Sequence, residues 1–237
     1  MDKGMQLYYD YTISPLGKLF YQTVQKQLSN VCNKKVLDFG SGFGFTANFL
    51  AHNNEVTAIE QNKDMIANSL NTNNYQLING DLNTLKNYQD EYFDFICCHL
   101  VLEFVDDPSI ILNELLRVLK KGGQLSIIRH HKNGRIIQAI VSDYDLKEVN
   151  TLLNNGYSYS SAFGDIKYYN NDDLINWCNN ITINNIYGIR ALASLHNSDI
   201  QNQDNWVNEM LDIEFKLLAK EEFINIAYFN HLIICKN

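Results

Sequence analysis

At 237 residues, 46% of them hydrophobic, the chain is long enough to bury one full core and too apolar for wholesale disorder. Its net charge of −8 argues against broad non-specific nucleic-acid binding. No apolar run reaches bilayer length and Met1–Asp10 lacks a signal-peptide profile, so no membrane partner and a cytoplasmic location are expected. Five cysteines without ligand-like spacing (Cys32, Cys97, Cys98, Cys178, Cys235) indicate neither a disulfide framework nor a zinc site, and no H-E-x-x-H or carboxylate cluster calls for a metal.

The first 13 residues are rich in tyrosine (Tyr8, Tyr9, Tyr11) and show no strong period. Ser14–Pro15 predicts a helix through Leu28, with serine as cap and proline at the first position. Val36–Phe39 then reads as a buried strand carrying Asp38, followed by Gly40, Gly42 and Gly44 and a helix expected from near Phe43. Alternating glycines let the backbone turn sharply and approach a ligand closely, and the helix start offers free N–H groups. A dinucleotide fingerprint would need a third glycine where Phe45 stands, and the one Gly-Lys pair, Gly17–Lys18, is followed by Leu19 rather than Ser or Thr. What stands here is D-x-G-x-G-x-G. A carboxylate beside the loop repels a pyrophosphate and suits a ligand with an ammonium group.

That pattern resembles motif I of the class I S-adenosylmethionine (SAM)-dependent methyltransferases. The resemblance implies a SAM site, with S-adenosylhomocysteine as product, held by Asp38, Gly40, Ser41, Gly42 and Gly44. In this fold a leading helix commonly crosses the cofactor cleft, from which Lys18 would reach a carboxylate.

Val56–Glu60 reads as the second strand, and Glu60 closes it 20 residues after Gly40. An acid at that tip holds both ribose hydroxyls through charge-assisted hydrogen bonds. Gln61 follows it, and Met65, one turn into the next helix, is a candidate to pack on the adenine. Tyr75–Ile78 is the third strand. It ends at Asn79–Gly80–Asp81–Leu82, where the resemblance implies Asp81 on the adenine amino group and the Leu82 N–H on a ring nitrogen. Phe93–Cys98 is a fourth strand, apolar enough to be buried on both faces, ending at His99. Ile110–Leu119 has helical spacing and stops at Lys120–Gly123; Gln124–Arg129 is the fifth strand. Strand–helix alternation predicts a parallel sheet whose ligands sit at the strands' carboxyl ends, so Gly40, Glu60, Asp81 and His99 are expected to converge.

Between Glu114 and Asp143 there is no acid, and six of the 19 basic residues fall there: Arg117, Lys120, Lys121, Arg129, Lys132 and Arg135. The last three follow strand five and are expected at the cleft mouth. A helical stretch to about Asn154, a loop over 157–169, a short helix over Asp172–Cys178, strand six over Ile181–Ile189, a helix over Trp206–Lys220 and a last strand over Ile224–Cys235 complete the reading. The expected fold is α/β: a doubly wound, Rossmann-like, seven-stranded sheet, mainly parallel with an antiparallel last strand and a helical insertion after strand five. It forms one domain over 1–237, with a helical cap at 1–30 and an inserted segment at 134–170.

His99–Pro108, with Leu115–Gly123 and Leu125–Gly134, is similar to the bacterial tRNA 5-carboxymethoxyuridine methyltransferases, which esterify a carboxylate on the wobble uridine. The resemblance implies tRNA as acceptor. A carboxylate nucleophile needs a cation to orient it, and Arg129 is the first candidate, ahead of Lys132, Arg135 and Arg190. A phenol, amine or thiol would need a base, for which His99, His130 and His131 are candidates. Phe20 stands where that family has an arginine, and Asn154–Ser161 is uncharged where it has lysines. A small-molecule O- or N-methyltransferase is therefore the alternative, and a SAM-binding protein without catalysis the third reading.

Overall fold

The computed structural model describes residues 1–237. It begins with α1 (Lys3–Ile13), where the sequence showed no period. Asp2 caps it by accepting from the Met5 N–H at 2.8 Å, so the helix starts from a local signal that the tyrosines mask. α2 (Pro15–Gln27) follows as expected. β1 (Lys35–Phe39) leads through a tight turn, Gly44 N–H to Ser41 O at 2.9 Å, into α3 (Phe45–Leu50). The helix thus begins at Phe45 rather than near Phe43, because Gly42 and Gly44 take left-handed φ of 57° and 76°.

β2 (Glu55–Glu60), α4 (Lys63–Ala67), β3 (Gln76–Asn79), β4 (Phe93–His99) and α5 (Pro108–Val118) continue the alternation. Asp107 and Pro108 start α5 as cap and first residue, with Asp107 accepting from the Ser109 N–H at 3.0 Å. β5 (Leu119–His130) starts five residues earlier than the sequence suggested. Phe93 pairs with Leu119 and Phe95 with Gln124, so Lys120–Gly123 bulges out of the strand, with Gly122 at φ 70°.

The helical stretch after β5 is two helices, α6 (Lys132–Val141) and α7 (Leu146–Leu153). The expected loop over 157–169 instead contains a hairpin, β6 (Ser158–Ser160) and β7 (Gly164–Ile166), whose three-residue strands are too short to show a period. Then come α8 (Asn171–Trp177), β8 (Ile181–Ile189), α9 (Ser198–Gln201), α10 (Trp206–Leu217), α11 (Glu221–Ile224) and β9 (Phe229–Lys236). The last strand starts five residues later than expected because α11 occupies its predicted beginning.

The sheet order is β3-β2-β1-β4-β5-β9-β8, with one strand antiparallel to the rest. β1 pairs in parallel with β2 and β4, β2 with β3, and β4 with β5. By contact the chain groups into two compact units. One comprises Gln25–Ile128, Tyr169–Asn185 and Leu232–Asn237, the other Met1–Val24, Arg129–Tyr168 and Ile186–His231. The first is built on buried strand residues including Val36, Leu37, Ile59, Phe93 and Ile96 with Leu112 and Leu115 of α5. The second has a core of Leu19, Ala193, Trp206 and Met210. No helix is long and apolar enough to cross a membrane.

Candidate functional site

Strand register brings the predicted cofactor residues to one edge of the first unit. Phe39 pairs with Ile59, Glu60 with Asn79, Asp38 with Cys97 and His99 with Ile128. Gly40, Glu60, Asn79 and His99 therefore occupy one row at the carboxyl ends of four adjacent strands. Backbone bonds close the row: Gly40 and Ser41 N–H to Ile59 O, Gly80 N–H to Glu60 O, and Leu100 N–H to Ile128 O at 2.8 Å. Leu100 takes a φ of 55°, a strained left-handed conformation for a branched apolar residue, where the chain turns out of β4.

Glu60 organises the loop. Its carboxylate accepts from the Gly42 N–H at 2.8 Å and the Asn62 N–H at 2.7 Å, one on each oxygen, which fixes the side chain and leaves lone pairs for two further donors. Such an acceptor pair fits a vicinal diol. Gly44 is required by packing, since a Cβ there would lie 2.1 Å from the Tyr75 hydroxyl oxygen. Gly42 is different: a Cβ would meet only the Met65 sulfur, 3.9 Å away, so the face it leaves bare is open. Met65 is buried beneath that face.

Asp38 is 2% exposed and its Oδ2 has no hydrogen-bond partner; the Ser41 hydroxyl is likewise buried and unpartnered. Unpaired buried polar atoms are costly and are uncommon in folded proteins. Burial pushes the Asp38 carboxyl up; a backbone bond at Ala47 lowers it and the Glu60 charge raises it, leaving it at about 7. These orphaned atoms, the open glycine face and the diol acceptor fit the ribose and the cationic amino-acid tail of SAM. Gln61 is exposed after the strand tip. Asp81 is exposed too and caps the turn that follows, accepting from the Asn83 N–H at 2.8 Å, and Leu82 opens that turn. His99 is half-buried, with Nε2 2.8 Å from the Ser126 hydroxyl, a partner on β5 that sequence spacing does not reveal.

Lys18, Arg129 and His131 belong to the other unit. Lys18 is exposed on α2, in a depression it shares with Gln22, Gln201, Asn205 and Trp206. Phe20 is buried against Phe229, with ring centroids 5.1 Å apart. Arg129 is buried. The Nδ1 of His131 lies 3.1 Å from the Ala227 carbonyl oxygen, which can only accept, so Nδ1 carries the proton and Nε2 the lone pair. Burial lowers the His131 pKa, the Ala227 bond opposes this, and the neighbouring Arg129 charge lowers it further.

The other cations expected at the cleft mouth are engaged by their own unit. Arg135 donates to Glu148 and, at 2.6 Å, to Asp143; Lys132 donates to Asn155 at 3.0 Å. Arg190 is buried, donates to the Tyr11 hydroxyl and to Ser194 Oγ, and stacks over Tyr228 with its guanidinium carbon 4.8 Å from the ring centroid. Burial pushes it down to about 10, against the pull of Tyr228 and Glu214.

Residues 37–127 match the model of a family described as a methyltransferase domain. A ubiquinone biosynthesis O-methyltransferase of Proteus mirabilis is 31% identical over 147 residues, covering 58% of each chain. A tRNA 5-carboxymethoxyuridine methyltransferase of Escherichia coli is 28% identical over 134 residues, 52% of this chain and 51% of its own. The chain spans about half the length of the curated relatives it matches. A solved SAM-dependent methyltransferase of Thermotoga maritima superposes with a TM-score of 0.63 at 16% identity, over 98% of this chain and 96% of that one. Residues 37–127 are similar to a methyltransferase domain, and the fold is that of solved SAM-dependent methyltransferases.

Proposed function

We propose that the chain moves the methyl group of SAM onto a small-molecule acceptor. The observation that carries the reading is the Asp38–Glu60 edge, where a fixed diol acceptor, an open glycine face and an orphaned buried carboxyl oxygen share one row of strand ends. In this reading Glu60 holds the ribose hydroxyls and Asp38 and Ser41 the amino-acid tail. Met65, Gln61, Asp81 and Leu82 serve the adenine side, and Lys18 the carboxylate. When bound, SAM supplies an electrophilic methyl carbon on a sulfonium. The chain's task is alignment of the acceptor with the S–CH3 bond, an effect worth roughly 7–11 kcal/mol in well-oriented reactions.

His99, Arg129 and His131 are the proposed acceptor-side residues. Arg129 supplies charge for an anionic acceptor. His131, its Nδ1–H tied to Ala227, offers Nε2 to take a proton from a hydroxyl. A small acceptor is favoured because Arg135 and Arg190 are engaged within their own unit and the net charge is −8, which leaves little to attract a polyanion. tRNA is the second reading, supported by the 28% identical relative.

Label transfer from methyl-tritiated SAM tests both. Bulk tRNA from a strain lacking this gene and a small-metabolite extract are offered separately. Counts in the extract alone support the first reading. Counts in tRNA that mild base releases support the second. Binding of SAM without transfer to either leaves a cofactor-binding role.

A further inference from the structure

Asp38 sits on β1, an interior strand of the sheet flanked by β2 and β4, and one of its carboxyl oxygens is unpartnered. The groups that face it are Glu60 from β2, Cys97 and Cys98 from β4, the Tyr75 hydroxyl, and the backbone at Ala47 of α3. None of them is a cation. Burial holds both thiols well above their ordinary range, so they stay neutral. Asp38 on β1 and Glu60 on the neighbouring β2 are two carboxyls near one another, and only Glu60 receives two backbone N–H groups. Burial, with a smaller push from the Glu60 charge, therefore favours the protonated form of Asp38.

Resting on the reading of this edge as a SAM site, we propose that Asp38 exchanges a proton for the cofactor's ammonium group: it is a carboxylic acid in the free protein and a carboxylate in the complex. The proton leaves to bulk solvent as the ammonium enters, so the net charge of the loop is the same before and after. Nothing but the O–H bond of Asp38 breaks. With the carboxyl held at about 7 in the free protein, affinity for SAM falls as pH drops below neutrality, to about 15-fold weaker at pH 5.5 than at pH 7. Ligands without the amino-acid tail escape this dependence.

The test is titration calorimetry at pH 6.5, where the ligand's own amine stays protonated, in two buffers of different ionisation enthalpy. SAM and S-adenosylhomocysteine are each expected to release about three-quarters of a proton, and 5′-methylthioadenosine, which lacks the ammonium, none. The near-isosteric Asp38→Asn variant is expected to bind without proton release and with a flat pH profile. Buffer-independent heats with wild-type protein, or equal release by 5′-methylthioadenosine, overturn the proton exchange while leaving the SAM site standing. Failure of SAM to bind at any pH removes the site reading and the inference with it. The ligand comparison needs only wild-type protein, so it stands if the Asn variant does not fold.

Discussion

The row of strand ends at Gly40, Glu60 and His99 and the segments following β5 treat buried polar groups in opposite ways. In the second unit Glu214, Arg135 and Arg190 find their partners within the fold. Glu214, 1% exposed, accepts from the backbone N–H groups of Ala191, Leu192 and Ala193 at 3.1–3.2 Å. Arg135 is held by Glu148 and Asp143, and Arg190 by Tyr11 and Ser194. At the row of strand ends, Asp38 and Ser41 are left with polar atoms that no protein group meets. A fold that can satisfy the buried Glu214 and Arg190 can satisfy a carboxyl and a hydroxyl. Where it does not, the proposed partner is the cofactor.

The sharpest way to break this contrast is to remove a satisfied charge. Glu214→Ala strands three buried N–H donors and is expected to lower stability by about 3–5 kcal/mol, read by urea denaturation, with SAM affinity of the folded protein retained. An orphaned group behaves in reverse. Asp38 has its carboxyl raised in the folded state, so the native protein binds more protons than the unfolded chain between about pH 4 and 7. Stability is therefore lost as pH rises through that window. In the absence of cofactor, Asp38→Asn is expected to gain on wild type by about 3 kcal/mol between pH 5 and pH 8, measured by denaturant midpoints at each pH. A constant difference across the range would contradict the assignment.

Arg135→Gln is a milder test of the satisfied class, because its side chain and that of Glu148 each keep 17% exposure. Burial opposes ionisation of Glu148, but the hydrogen bonds of Arg135 and Ser158 together with the Arg135 charge hold its carboxyl below the usual range. About 2 kcal/mol of stability is expected to go, discounted for solvent, with no loss of cofactor affinity. Lys18→Ala should do least. An exposed lysine on a cofactor carboxylate is worth less than about 1 kcal/mol, so calorimetry should give a loss of no more than a few-fold.

Much of the first unit was legible in the sequence because its signals are local. The glycine spacing, the acid inside it and the acid closing the second strand each follow from chemistry within a few residues, and strand–helix alternation places the strand ends in a row. What was hidden depended on distant partners. α1 carries tyrosines that blur its period, and Tyr11 meets Arg190, far along the chain. Gly4 packs within 2.3 Å, measured from an added Cβ, of the Ser161 carbonyl oxygen, beside the short β6–β7 hairpin. The acid-free stretch read as a basic patch ends at Asp143, and that acid is one of the two that hold Arg135. Charge counted along the chain misses such closures. Ser126 escaped for the same reason: it faces His99 only because β4 and β5 pair.

The most direct test of the account is SAM calorimetry on wild type, Glu60→Ala and Gly42→Val, each checked for fold by circular dichroism. Glu60→Ala removes the diol acceptor and Gly42→Val fills the open face at a backbone φ of 57° that valine resists. The account predicts SAM binding to wild type and at least about 100-fold weaker binding to each variant, with both still folded. Unchanged affinity in the two variants would contradict it and move the cofactor site away from this edge.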